Sequence, residues 1–200
     1  MNSTCDSIAA DATAGVEPSA NLEKQMIYRY GEERPRIEAD AYIAPEATVI
    51  GRVYIGTQSS IWPGAVVRGD VGSIVVGDRT NIQDCSVVHV TEGARGTIIG
   101  NDVVIGHRAL IHECTVEHFA LIGMGAILLD GCLIGRGAIV GAGAVVRENE
   151  QVPAFGLVAG VPAQVRKILP ETSLEERRQH ALHYVELAAR YRRGEVEPIT

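Results

Sequence analysis

Aromatic side chains are scarce in this 200-residue chain, at 4% of residues with one Trp and two Phe. Any core must therefore be aliphatic and layered rather than built on large rings. No uninterrupted apolar stretch is long enough to span a bilayer. The first 25 residues lack the basic and apolar regions of a secretory signal. They are polar, rich in Ala, Ser, Asp and Thr, and read as a disordered tail, with Met26 as a candidate original start. Basic charge is also in deficit. Eighteen Lys and Arg against 25 Asp and Glu leave a net charge of −7, which argues against nucleic acid and anionic membrane surfaces as partners. The four cysteines, Cys5, Cys85, Cys114 and Cys132, form no CxxC pair and read as reduced residues of a cytoplasmic protein. The length suits one domain of ordinary size.

What the chain does have is a beat of six. Aliphatic residues lead hexads at Ile37, Ile43, Val49, Ile55, Ile61 and Val67, then at Val76, Ile82 and Val88, and again at Ile99, Ile105 and Ile111. The beat continues from Val116 through Ile122, Leu128, Ile134, Val140, Val146 and Val152 to Val158. Four places after each leader the residue is usually small, as at Ala47, Ala65, Ala109, Ala126 and Ala144. Ordinary half-buried strands alternate with period two, so a sustained period of six predicts a triangular coil. The leader fills its narrow interior, the small residue fits the corner, and stacked coils bury one continuous core. Glycine follows many leaders, as at Gly56, Gly106 and Gly123, where it is expected to adopt backbone angles that a Cβ forbids. The expected architecture is an all-β solenoid over 26–168, followed by a C-terminal helix and tail over 169–200. The helix should begin near Ser173, with Ser173 and Glu176 at capping-box spacing, and stop before Gly194. Leu182, Val185 and Ala189 should pack on the coil, and the charged run 175–178 should be solvated.

The beat slips three times. Nine residues separate Val67 from Val76, eleven separate Val88 from Ile99, and five separate Ile111 from Val116. Inserted residues are expected to bulge as loops, often on the functional face. Rotating hexads among three sides places Val67, Val88 and Ile111 on one side in successive coils. Arg68, His89 and His112 each follow these leaders. Coils ~4.8 Å apart would stack His89 on His112, close enough to share a metal through Nε2 bonds of ~2.0–2.1 Å. His107 follows Ile105 by two and falls on the adjacent side. A homotrimer that sets one protomer's His107 against the next protomer's His89 and His112 would complete a three-histidine site at each subunit interface. His118, on the third side, reads as a surface residue, and His180 and His183 as ordinary helix residues.

The ordered set Arg68-Gly69-Asp70, Asn81-Ile82-Gln83-Asp84, Val88-His89-Val90, Gly106-His107 and Ile111-His112 resembles the γ-class carbonic anhydrases. The resemblance covers roughly 26–169. It implies a left-handed parallel β-helix of hexapeptide repeats and a homotrimer. It also implies reversible hydration of CO2 to bicarbonate by a metal-bound hydroxide. Zinc is the implied cofactor, with iron or cobalt as alternatives. His89 and His112 match the ligands from one subunit and His107 the ligand from the next. Arg68 and Asp70 match an interfacial pair, with Arg68 locking Asp70 across the joint. Gln83 matches a residue that hydrogen-bonds the attacking water, Asn81 a polar group behind it, and Tyr184 a tyrosine over the pocket. This chain departs from the archaeal form in two places. Val71 replaces a glutamate, and the loop 91–96 is short, leaving Glu92 as its only carboxylate to carry the proton. Two other readings stand beside this one: a metal-stabilised trimeric scaffold without turnover, and a hexapeptide-repeat acyltransferase.

Overall fold

The computed structural model describes residues 25–200 apart from Ala94, Glu197, Pro198 and Thr200. The sequence-predicted tail lies outside the described residues except for Gln25, whose side-chain amide donates to the Ile43 carbonyl at 2.9 Å. The chain winds into a parallel β-solenoid of about seven turns, the left-handed β-helix to which hexapeptide repeats belong, with one C-terminal helix. On the first face, Val66–Val76 pairs with Val87–His89, then come Leu110–His112, Ile127–Leu128 and Val145–Val146. The third face runs from Tyr42–Ile43 through Asn81–Ile82 and Val104–Ile105 to Gly156–Ala159. There an antiparallel strand, Gln164–Ile168, closes the end.

The hexad leaders fill the interior. Ile55, Val67, Val88, Ile105, Ile111, Val116 and Ile122 are each 0% exposed, as are Ala47, Ala65 and Ala126 at the corners. Each such Val or Ile contributes about 1.5–3 kcal/mol relative to exposure. One local expectation needs correction. Left-handed backbone falls three places after the leader, at Gln58, Arg79, Cys85, Asp102, Arg108 and Phe119, with φ between 51 and 61°. The glycine directly after the leader has a different cause, which is close approach between coils. A Cβ on Gly123 would sit 2.5 Å from the Ala142 nitrogen and 2.7 Å from the Val140 oxygen.

The first insertion bulges inside a strand rather than as a separate loop, since the pairing jumps from Gly51 with Gly69 to Val53 with Ile74. It is absorbed into one 11-residue strand, Val66–Val76, which turns the corner against Thr48–Ile55 and carries Arg68 and Asp70. The described residues of loop 91–96 belong to no strand, and Thr91, Glu92, Gly93 and Arg95 are exposed.

The helix spans Leu174–Arg192, ends before Gly194 (φ 76°), and follows a 3-10 turn at Glu171–Ser173. No capping box forms. The Ser173 backbone is itself helical, and its hydroxyl donates to the Pro170 carbonyl at 2.5 Å instead of capping the helix. The buried seam is Arg177, Ala181 and Ala188, one residue off the expected Leu182, Val185 and Ala189. Docking of Tyr184 and Tyr191 edge-on against Trp62, with ring centroids 5.8 and 5.2 Å away, sets this register. Arg177 is consequently 3% exposed, although its neighbours in 175–178 are solvated.

Candidate metal centre

Two constellations sit on different faces of one chain. The first is built on the strands Val87–His89 and Leu110–His112. Their in-register pairing sets His112 directly beside His89. His89 Nδ1 and His112 Nε2 face each other at 3.2 Å. The far nitrogen of each ring meets a carboxylate: His89 Nε2–H donates to Asp70 Oδ1 at 3.1 Å, and His112 Nδ1–H donates to Asp130 Oδ1 at 2.6 Å. A carboxylate accepting from one imidazole nitrogen selects the tautomer with a bare lone pair on the other. In neutral rings the two facing nitrogens both present lone pairs, which repel unless a proton or a metal cation lies between them. Two nitrogens bound ~2.0–2.1 Å from one tetrahedral metal stand about 3.3 Å apart. The donor set thus fits a divalent metal, although His89 offers Nδ1 where Nε2 was expected.

The carboxylates are themselves held. Burial alone would raise the Asp70 pKa, but hydrogen bonds from Arg68 and His89 outweigh it and keep Asp70 below its ordinary value. Arg68 reaches Asp70 Oδ2 at 2.5 Å within the same chain. Asp130 is held low chiefly by the Thr91 hydroxyl, which donates to Oδ2 at 2.6 Å, and also by His112. Thr91 opens the shortened loop, which is thereby tied to the site. Burial and a hydrogen bond with Asp130 push Glu113 up. Glu92 is exposed on the loop.

The second constellation lies where the chain leaves the middle strands of the third face, Asn81–Ile82 and Val104–Ile105. His107 Nδ1–H donates to Asp84 Oδ2 at 2.8 Å, which leaves Nε2 free; the His107 side chain is 45% exposed. Beside it Gln83 Nε2 donates to Asn81 Oδ1 at 3.0 Å, and both residues are buried. The Tyr184 phenol is near Gln83, whose amide acts to lower its pKa. Burial and the Asp84 carboxylate push the Tyr184 phenol up, so it stays a neutral hydroxyl at physiological pH. Among the described residues of one chain, no three His, Cys, Asp or Glu side chains gather closely enough to hold a metal.

Asp84 and Asp130 were not assigned as histidine partners by the sequence reading. Coil arithmetic finds them. Asp130 lies 18 residues after His112, one regular coil, and Asp84 lies 23 before His107, the same lengthened coil that separates His89 from His112. His118 is exposed; its Nδ1 accepts from the Asn101 amide at 2.8 Å and caps a corner. Cys85 is exposed, while Cys114 and Cys132 are buried, and all three are free. No described helix is long and apolar enough to cross a membrane.

The coil and its repeats define a hexapeptide-repeat β-helix protein: the model of bacterial transferase hexapeptide repeats (six repeats) matches residues 113–148. A solved hexapeptide transferase family protein from Anaplasma phagocytophilum superposes with a TM-score of 0.80 at 36% identity, covering 85% of this chain and 99% of that one. The chain is 41% identical over 167 residues to a carbonic anhydrase of Geobacillus kaustophilus, covering 84% of this chain and 91% of that protein. It is 42% identical over 173 residues to gamma carbonic anhydrase 1, mitochondrial, of Arabidopsis thaliana, covering 84% of this chain. It spans 63% of the Arabidopsis protein's length. The chain belongs to the γ-class carbonic anhydrase family.

Proposed function

We propose that the protein catalyses reversible hydration of CO2 to bicarbonate at a three-histidine metal site shared between subunits of a homotrimer. The observation that carries the proposal is the pair of imidazole nitrogens facing at 3.2 Å, each ring backed by a carboxylate. His107, also backed by a carboxylate and with its other nitrogen free, supplies the third ligand from a neighbouring subunit. A divalent metal held there, zinc or alternatively iron or cobalt, supplies Lewis acidity that brings the pKa of a water to near 7.

The chain's own residues do the rest. Asp70, Asp130 and Asp84 fix the tautomer and aim of each histidine. Asn81 anchors Gln83, which orients the attacking water toward CO2. Tyr184 closes over Gln83 as a neutral hydroxyl. Arg68 holds Asp70 in place, and Glu92 on the short loop carries the released proton to solvent.

Trimer formation has support of its own. The outward residues of the first face, Val66, Val87, Leu110, Ile127 and Val145, form an in-register apolar stripe beside His89 and His112. These residues are half-exposed, and a contiguous apolar stripe on an outer face favours an interface there. An acyltransferase on the same coil would use a lone histidine as base, and a stacked, carboxylate-backed pair speaks against that use. Metal analysis with stopped-flow CO2 hydration tests the proposal. We expect about one metal per chain and hydration that His112→Ala removes together with the metal. Metal and hydration both surviving that change would refute the assignment, and metal without hydration would favour a scaffold.

A further inference from the structure

A second site lies away from the histidines, in the groove between the helix and the third face. Arg177 is 3% exposed, so its guanidinium is largely removed from water. Its one side-chain partner is the Ser173 hydroxyl, and its Nε has no hydrogen-bond partner. Among the described residues no carboxylate lies within ion-pair distance of it. Burial lowers its pKa, and the Glu176 charge acts the other way. An arginine does not shed its proton in a protein, so the charge stays. A buried charge and an orphaned donor both cost free energy unless something answers them.

Beside this group is a cavity of about 320 Å³ lined by Leu121, Ile139, Glu176, Arg177 and His180. That is the lower end of the range for small-molecule sites. Its floor is apolar, from Leu121 and Ile139, which stand side by side on the coil. Its rim carries the exposed His180 imidazole, a second donor, which packs on Tyr184 at 5.8 Å between ring centroids. A guanidinium offers a flat fork of N–H groups that suits a planar oxyanion better than a spherical ion.

We propose that this groove binds a small planar oxyanion, a carboxylate or bicarbonate, anchored by Arg177, with His180 as a second donor and Leu121 and Ile139 beneath it. The Glu176 carboxylate on the same rim opposes the anion and keeps its binding weak and reversible. None of these residues belongs to either histidine constellation, and the one contact with them is His180 packed on Tyr184.

The test is an NMR titration of full-length protein, metal-loaded and metal-free, with sodium acetate, sodium bicarbonate and sodium chloride as separate probes. Acetate and bicarbonate should shift the Arg177 Nε–H and His180 ring signals alike in both forms, and chloride should not. Acetate alone acting would identify the ligand as an organic carboxylate, and bicarbonate alone would identify it as the hydrated gas. Arg177→Met should abolish both responses. Because that change could unfold the helix, two exposed positions provide the decisive pair. His180→Ala should weaken binding, and Glu176→Gln should tighten it by about two- to five-fold, the worth of one partly screened charge. A merely structural Arg177 would leave affinity indifferent to Glu176. Equal response to chloride, no shift at Arg177, or Glu176→Gln without effect would each overturn the proposal.

Discussion

Removing the Asp130 carboxylate should loosen the metal while leaving the coil intact. Asp130 accepts from His112 Nδ1–H at 2.6 Å and from the Thr91 hydroxyl at 2.6 Å. Its side chain is 38% exposed, so the loss falls on the orientation of His112 rather than on a buried charge. Loss of such a supporting partner typically lowers metal affinity 10–100-fold, which is about 1.4–2.7 kcal/mol. Asp130→Asn keeps an oxygen for His112 and an amide for the Thr91 oxygen and loses only charge, so it should fall near tenfold. Asp130→Ala frees the ring to change tautomer and should approach a hundredfold. Asp84→Ala acts on His107, a more exposed pair, and should lie between them or nearer the asparagine variant. The assay is competition for zinc against a chromophoric chelator, with thermal denaturation to show the fold is kept. Asp130→Ala binding zinc within twofold of the parent would refute the orienting role of the carboxylate.

Three further outcomes follow from particular contacts. Gly123→Ala forces a Cβ to within 2.5 Å of backbone in the next coil, and should cost about 1–3 kcal/mol, lowering Tm by about 2–4 °C per kcal/mol in calorimetry. Tyr184→Phe removes the hydroxyl beside Gln83 and should lower CO2 hydration by up to roughly tenfold, the worth of about one hydrogen bond made to the attacking water or to Gln83, with metal content unchanged by elemental analysis. Asp70 and Asp130 are both held low in the folded chain, so the stability they contribute is complete above about pH 5 and is lost as pH falls through about 4 and below. Glu113 is raised and contributes with the opposite sign, its share being lost as pH rises through its folded value. Urea titrations of metal-free protein from pH 6 to pH 3 should show this acid loss, and Asp70→Asn with Asp130→Asn should flatten it.

Most of the coil was legible because one rule repeats: a leader points inward every sixth residue, and its neighbours then have assigned faces. The stacking of His89 on His112 and the separate placement of His107 follow from that rule and from the lengths of the slips. The helix register was not legible. Its docking partners, Trp62 and Tyr42, lie more than a hundred residues away in sequence and select Tyr184 and Tyr191, which shifts the seam by one and buries Arg177. Ser173 failed as a cap for a local reason, since the preceding 3-10 turn takes its hydroxyl. The carboxylates behind the histidines were legible in principle, one coil away from their partners, but only to a reader who extended the stacking rule beyond the histidines.

Metal counting in mixed trimers tests most directly whether the ligands come from two chains. His107→Ala and His112→Ala proteins should each be metal-free alone. Co-refolded in equal amounts, they should form trimers in which one joint pairs the intact His89 and His112 of one chain with the intact His107 of the other, giving about one metal per four chains. A mixture as empty as its parents, or either parent alone holding its full complement of metal, would contradict a site shared between subunits.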